Sequence, residues 1–193
     1  MLRVDREKIK LYASMTDLVT ISRRYFVIGF FDGVLTVMGM LIGAYLSGIS
    51  SKAVISAGIA TSLALGISSG WGAFEAERVE QKVAAMEKRK SLLRFSDDYC
   101  LIDEAHDFAM KVSAVVHAVA PVPAGIIPLI PYAFLPAKEA FLYAVSIGLT
   151  LLFLVGVMLG RISKENLIKS GLRLVLAGIL TLVFVSILNP SHF

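Results

Sequence analysis

The sequence predicts an all-α, polytopic membrane protein with five transmembrane helices and a short helical cytoplasmic segment between spans two and three. Three observations carry this. The chain is 193 residues long and 56% hydrophobic, with a mean hydropathy of +0.75, where a soluble domain of this size is about 45–50% apolar. The excess is concentrated in five blocks, each close to the roughly 20 apolar residues that a bilayer crossing needs. The 19 Lys and Arg residues flank those blocks and favour alternate connections.

The elements follow in order. Residues 1–24 mix Arg3, Asp5, Arg6, Glu7, Lys8 and Lys10 with scattered apolar residues, without the continuous apolar core of a cleavable signal peptide. Leu2, Ile9, Tyr12, Ala13 and Val19 fall on one side of a helix, which predicts an amphipathic N-terminal arm on the cytoplasmic surface; an unstructured tail is the alternative. Residues 25–75 hold the first two spans, 26–47 with the single charge Asp32, and 53–74 with none. Residues 76–111 form an acidic helical segment, with an apolar stripe at Val79, Val83, Met86 and Leu93. Ser96 or Asp97 is placed to cap its second helix. Residues 112–193 hold spans three to five, at about 112–135, 140–160 and 172–188. Five of the six prolines lie between 121 and 136. Each removes a backbone donor, so span three must be kinked or broken, as is tolerated where backbone is buried or lines a cavity.

Orientation follows from the basic residues. The N-terminal arm, the 76–111 segment and the connection between spans four and five carry seventeen of the 19; only Lys52 and Lys138 lie on the other face. The N-terminus is therefore expected in the cytoplasm and the C-terminus outside. The net charge of +4 does not point to nucleic acid, because the basic residues form no patch with interleaved aromatics. The single Cys100 excludes an intrachain disulfide and any Cys-based zinc or iron–sulfur site. No Walker motif, nucleophile elbow or HExxH is present to name an enzyme.

Asp32 is the strongest single signal. It lies seven residues after Tyr25, roughly 10 Å along a helix. An acid at the centre of a membrane helix costs about 2.5–3.5 kcal/mol on insertion scales and marks a functional site by default. The alternative is a structural carboxylate bonded to a neighbouring helix. Gly29 and Gly33, Gly39 and Gly43, and Gly66 and Gly70 form small-xxx-small pairs, which serve either a dimer seam or packing within the chain. Ser69, Glu75 and His117 are further candidates for a polar path, against the plainer reading that they bond their own or adjacent helices. Glu77, Glu80, Glu87, Asp103, His106 and Asp107 form a candidate hard-ligand metal set, with Met110 adding softer character, or else a solvated helix face.

These residues resemble the vacuolar iron transporter family. Gly29-Phe30-Phe31-Asp32-Gly33 is similar to the family's Gly-x-x-Asp-Gly, and Gly125-Ile126-Ile127-Pro128-Leu129-Ile130-Pro131-Tyr132 to its Gly-x-x-Pro-Leu-Leu-Pro-Tyr/Phe. Ser170-Gly171-Leu172-Arg173 is similar to its Gly-Leu-Arg opening of span five. The resemblance implies a homodimeric exporter of ferrous iron or manganese from the cytosol. Its path would run between the subunits' first two helices, with Asp32 on the path, proton exchange as the drive and the cytoplasmic acids recruiting metal. The metal is then substrate, and no cofactor is expected. One departure stands out. Where the family's second helix carries a Met and a Glu, this chain has Ser69 and Ala73, with Glu77 one turn further on the same face. A membrane metal sensor or scaffold, and a transporter of another substrate on the same fold, are the competing readings.

Overall fold

The computed structural model describes residues 6–16, 18–92 and 101–188. A short helix α1 (Arg6–Met15) precedes α2 (Leu18–Leu46) and α3 (Ser51–Leu92). The broken segment α4 (Leu101–Val119), α5 (Pro121–Ile126) and a 3-10 helix (Ile127–Ala133) comes next, then α6 (Ala137–Ser163) and α7 (Leu167–Leu188). Among the described residues, five helical segments are long and apolar enough to cross a bilayer: Leu18–Leu46, Ser51–Glu80, Glu104–Ala133, Ala137–Ser163 and Leu167–Leu188. The protein is thus an all-helical, multi-pass membrane protein.

Two helices outrun their spans. α3 has 42 residues, about 63 Å at 1.5 Å per residue, against a hydrocarbon core of about 30 Å. Residues 75–92 contain neither Gly nor Pro, so the helix continues past Glu75 where the apolar block ends. α2 begins two turns before its apolar block, at Leu18. Leu93, Ser96, Asp97 and Cys100 lie outside the described residues.

The proline-rich span breaks as expected. Pro121 has no N–H to give the His117 carbonyl, so α4 stops at Val119 and α5 restarts on Pro121 and Pro123. Pro128 and Pro131 then tighten the chain into the 3-10 helix, whose end is closed by the Phe134 and Leu135 N–H groups donating to the Pro131 carbonyl. Pro136 sits at the N-cap of α6. The turn to α7 uses a left-handed Lys164, whose N–H donates to the Gly160 carbonyl. The Asn166 side chain accepts from the Ile168 and Lys169 N–H groups at 3.0 and 3.2 Å.

Around this break the bundle is wrapped. α2 lies at the centre and packs against α3, both halves of the broken span, α6 and α7. Its Val34, Val37, Met38 and Leu41 are fully buried. Val37, Leu41 and Ala44 meet Leu129, Tyr132, Ala140 and Ala144; Val34 and Met38 meet Ala124 and Leu152. Lipid is as apolar as these side chains, so close packing through small residues holds the helices together. A Cβ at Gly156 would stand 2.5 Å from the Ser170 carbonyl, and one at Gly66 2.5 Å from the Ala118 carbonyl.

α1 is a helix docked on α4. The Tyr12 hydroxyl donates to Glu104 Oε2 at 2.7 Å, and its ring lies 5.7 Å from that of Phe108. The Glu104 hydrogen bond, then burial, hold the Tyr12 pKa above its ordinary 10.0. A raised folded-state pKa means that the contact is complete below pH 10 and is lost as pH rises through the folded value. Tyr12→Phe should raise amide exchange of α1 several-fold at neutral pH while α2 to α7 keep their protection. Unchanged α1 exchange in Tyr12→Phe would remove this bond from the docking contact.

Candidate functional site: Asp32 and the charged end of the bundle

The site is built where α2, α3 and α4 come together near Arg24, Glu75 and Lys111, the charged end of the bundle. Gly29 and Gly33 pack within the chain, against the broken span. A Cβ on Gly29 would meet the His117 ring at 3.0 Å, and one on Gly33 would meet the Pro121 carbonyl at 2.6 Å. Gly66 and Gly70 press α3 against Ala114 and Ala118 of α4. These glycine pairs therefore clamp α4 and α5 between α2 and α3, and they do not form a seam with a second copy.

With that face of α2 committed, Asp32 points elsewhere. It is exposed, as are Ile28 and Thr36 one turn to either side. Among the described residues it has no hydrogen bond or ion pair. The neighbouring outer face of α3 is also bare, with Ile67 71% and Trp71 68% exposed. Ser69 is half-buried on α3, next to the exposed Ser68.

Toward the charged end a connected set of polar groups bridges three helices. His117 Nδ1 lies 2.9 Å from the Tyr25 carbonyl oxygen. A carbonyl only accepts, so Nδ1 carries the proton and Nε2 keeps its lone pair when the ring is neutral. The Tyr25 hydroxyl in turn donates to Glu77 Oε1 at 2.9 Å. The Arg24 guanidinium lies 5.5 Å from the Tyr25 ring centre. Tyr25 sits two turns before Asp32 on nearly the same face of α2, since seven residues return a helix almost to its starting angle. Sequence reasoning missed Tyr25 as a site residue; a tyrosine where an apolar block meets Arg23 and Arg24 was the available signal.

The other expected residues divide. Glu75 pairs with Arg78 one turn along α3. Asp107 pairs with Lys111 at 3.1 Å. Glu80 is exposed. Glu77 and His106, from different helices, border one cavity. The side chains of Glu87 and Asp103 lie outside the described residues. Among the described residues no three His, Cys, Asp or Glu side chains converge closely enough to share a metal ion. A larger cavity of about 380 Å³ lies at the opposite end, lined by Tyr45, Tyr132 and Lys138 among others. It contains none of the expected residues, so size alone does not locate the site.

The sequence matches known proteins along nearly all of this architecture. The family model described as the VIT family matches residues 23–110 and, in a second overlapping segment, 92–188. An uncharacterized protein of Methanocaldococcus jannaschii is 32% identical over 173 residues, covering 88% of this chain and 89% of its own.

Proposed function

The chain belongs to the VIT family, and on that premise we propose that this membrane transporter of metal ions works as a homodimer. It carries divalent cations such as Fe2+ or Mn2+ out of the cytosol in exchange for protons, along a path that includes Asp32. The observation that carries the reading is the exposure of Asp32 on a membrane-spanning helix. Ionisable groups at membrane depth face a bundle interior or a water-filled cavity. Within one chain Asp32 faces neither. A second copy, related by a two-fold axis and set against the bare faces of α2 and α3, supplies the missing wall.

The chemistry follows from two such carboxylates across an axis. Paired, they offer a hard divalent cation four oxygen atoms. A proton can replace the cation on each carboxylate after release, which gives exchange without a separate proton route. Toward the charged end, Tyr25, two turns before Asp32 on α2, donates to Glu77 of α3. That end is cytoplasmic by the bias of Lys and Arg. Uptake of Mn2+ into proteoliposomes, with and without a pH gradient, tests the reading. Flux that ignores the gradient would remove the proton coupling, and no flux at all would remove transport of that ion.

The dimer face is tested separately. In a Cys100→Ser background, Thr36→Cys should cross-link between two chains several-fold more than Leu176→Cys, which lies exposed on α7. Equal yields from the two positions would place the partner elsewhere.

A further inference from the structure

We propose that the cavity between the start of α2 and the end of α6 binds an anionic phospholipid from the leaflet at the charged end. The cavity measures about 310 Å³, which is room for a phosphate headgroup and the first carbons of its chains, with the rest of the chains in the bilayer. Thr20, Arg23 and Arg24 of α2 border it, and a turn deeper so do Val27 and Ile28. Leu159 and Ile162 of α6 form the other side.

Polarity changes along this cavity in the order that a lipid has. Positions 20, 24, 27 and 28 share one face of α2, by their spacing of four, three and one. The face is polar at Thr20 and Arg24 and apolar at Val27 and Ile28. Arg24 and Ile28 are four residues apart, about 6 Å along the axis, close to the roughly 5–8 Å depth of one headgroup layer. The chain runs the other way through α6, so Ile162 lies toward the charged end and Leu159 deeper.

The rim is basic and unneutralised. Arg23 and Arg24 are exposed, and among the described residues neither forms an ion pair. No acidic side chain is among those bordering the cavity. Arg24 stands over the Tyr25 ring, 5.5 Å from its centre, which holds it at the rim. The exposed Arg161 lies between Leu159 and Ile162 in the chain and adds positive charge at the same end; Glu165, the acid nearest to it in the chain, is paired with Arg173 at 3.2 Å. A guanidinium fork matches two phosphate oxygens, and basic pockets between membrane helices on the cytoplasmic side take anionic headgroups.

The apolar end selects a lipid over a free anion. Ile28 is 47% and Ile162 39% exposed, both on membrane-spanning helices, so this end of the cavity opens to acyl chains. A small soluble anion would use the rim and leave the apolar walls bare. A lipid seated here ties the start of α2 to the end of α6, and its binding does not depend on what the protein transports.

The probe is phosphatidylglycerol with a fluorophore at the end of one chain, added to the purified full-length protein in neutral detergent. Unlabelled phosphatidylglycerol should displace it, phosphatidylcholine should be at least tenfold weaker, and millimolar inorganic phosphate should have no effect. Arg23→Gln and Arg24→Gln should each weaken binding about tenfold, the worth of one charge-assisted hydrogen bond. Leu159→Trp, which fills the cavity and changes no charge, should weaken it by at least as much. Lys169→Gln, which removes an exposed charge on α7 away from the cavity, should leave it within twofold. Equal displacement by phosphatidylcholine overturns the anionic selectivity, and displacement by inorganic phosphate makes this a site for free anions. Binding within twofold of wild type in Leu159→Trp, or a loss in Lys169→Gln equal to that in Arg24→Gln, leaves only diffuse surface charge and overturns the site.

Discussion

Asp32→Asn is expected to abolish cation flux and leave the fold intact. The argument is geometric first. Asp32 is exposed and has no partner among the described residues, so within one chain its charge holds nothing together. Asn keeps the size and much of the hydrogen bonding but cannot ionise. A cation crossing at this depth loses the oxygen ligand that replaces its water, and the proton loses its carrier. A loss of about 100-fold in Mn2+ uptake corresponds to only ~2.7 kcal/mol, within what an intramembrane charge is worth. The thermal unfolding midpoint in detergent should stay close to that of wild type. If Asn supports uptake near the wild-type rate, Asp32 is off the path. A lowered midpoint with normal uptake would make it a structural carboxylate.

Gly33→Ala is expected to destabilise the bundle, and Gly33→Leu to prevent its accumulation. The new Cβ would stand 2.6 Å from the Pro121 carbonyl oxygen, 2.7 Å from its Cα and 3.0 Å from the Ala124 Cβ. Two of those atoms belong to the backbone at the break in span three, where no side-chain rotation relieves the clash. Overpacking of this kind costs roughly 1–3 kcal/mol, from which the better helix propensity of Ala recovers about 1 kcal/mol. Gly72→Ala is the matched control, since its Cβ meets nothing within 4 Å. It should hold or raise the midpoint. Equal midpoints in Gly33→Ala and wild type would mean that α2 and the broken span do not pack this closely.

These two residues mark what was legible in advance. Asp32 stood out because one charge in an apolar block has no local explanation. Its place within the first span was readable while its direction was not. Gly29 and Gly33 were visible as a pair suited to close approach, but a spacing of four does not say which helix approaches. The structure sets them against His117, Ala120, Pro121 and Ala124, and so turns Asp32 outward. Tyr25 drew no attention, because a tyrosine near a membrane surface is ordinary; its bonds to Glu77 and His117 join residues 52 and 92 positions away.

The sequence by itself determined the class of protein: five apolar blocks, a span interrupted by prolines, a charged segment that continues as helix, and one buried-depth carboxylate. Length and local chemistry suffice for those, since a bilayer demands about 20 apolar residues and proline breaks a helix wherever it falls. Only the tertiary structure decided which faces meet. In water an amphipathic stripe tells a helix which side is inside. In lipid the inside and the outside are equally apolar, and packing of small residues replaces the hydrophobic signal. α2 is apolar all round, so nothing in its own pattern could say that Gly33 turns inward and Asp32 out, or that Glu77, His106, Met110 and Ser113 border one cavity.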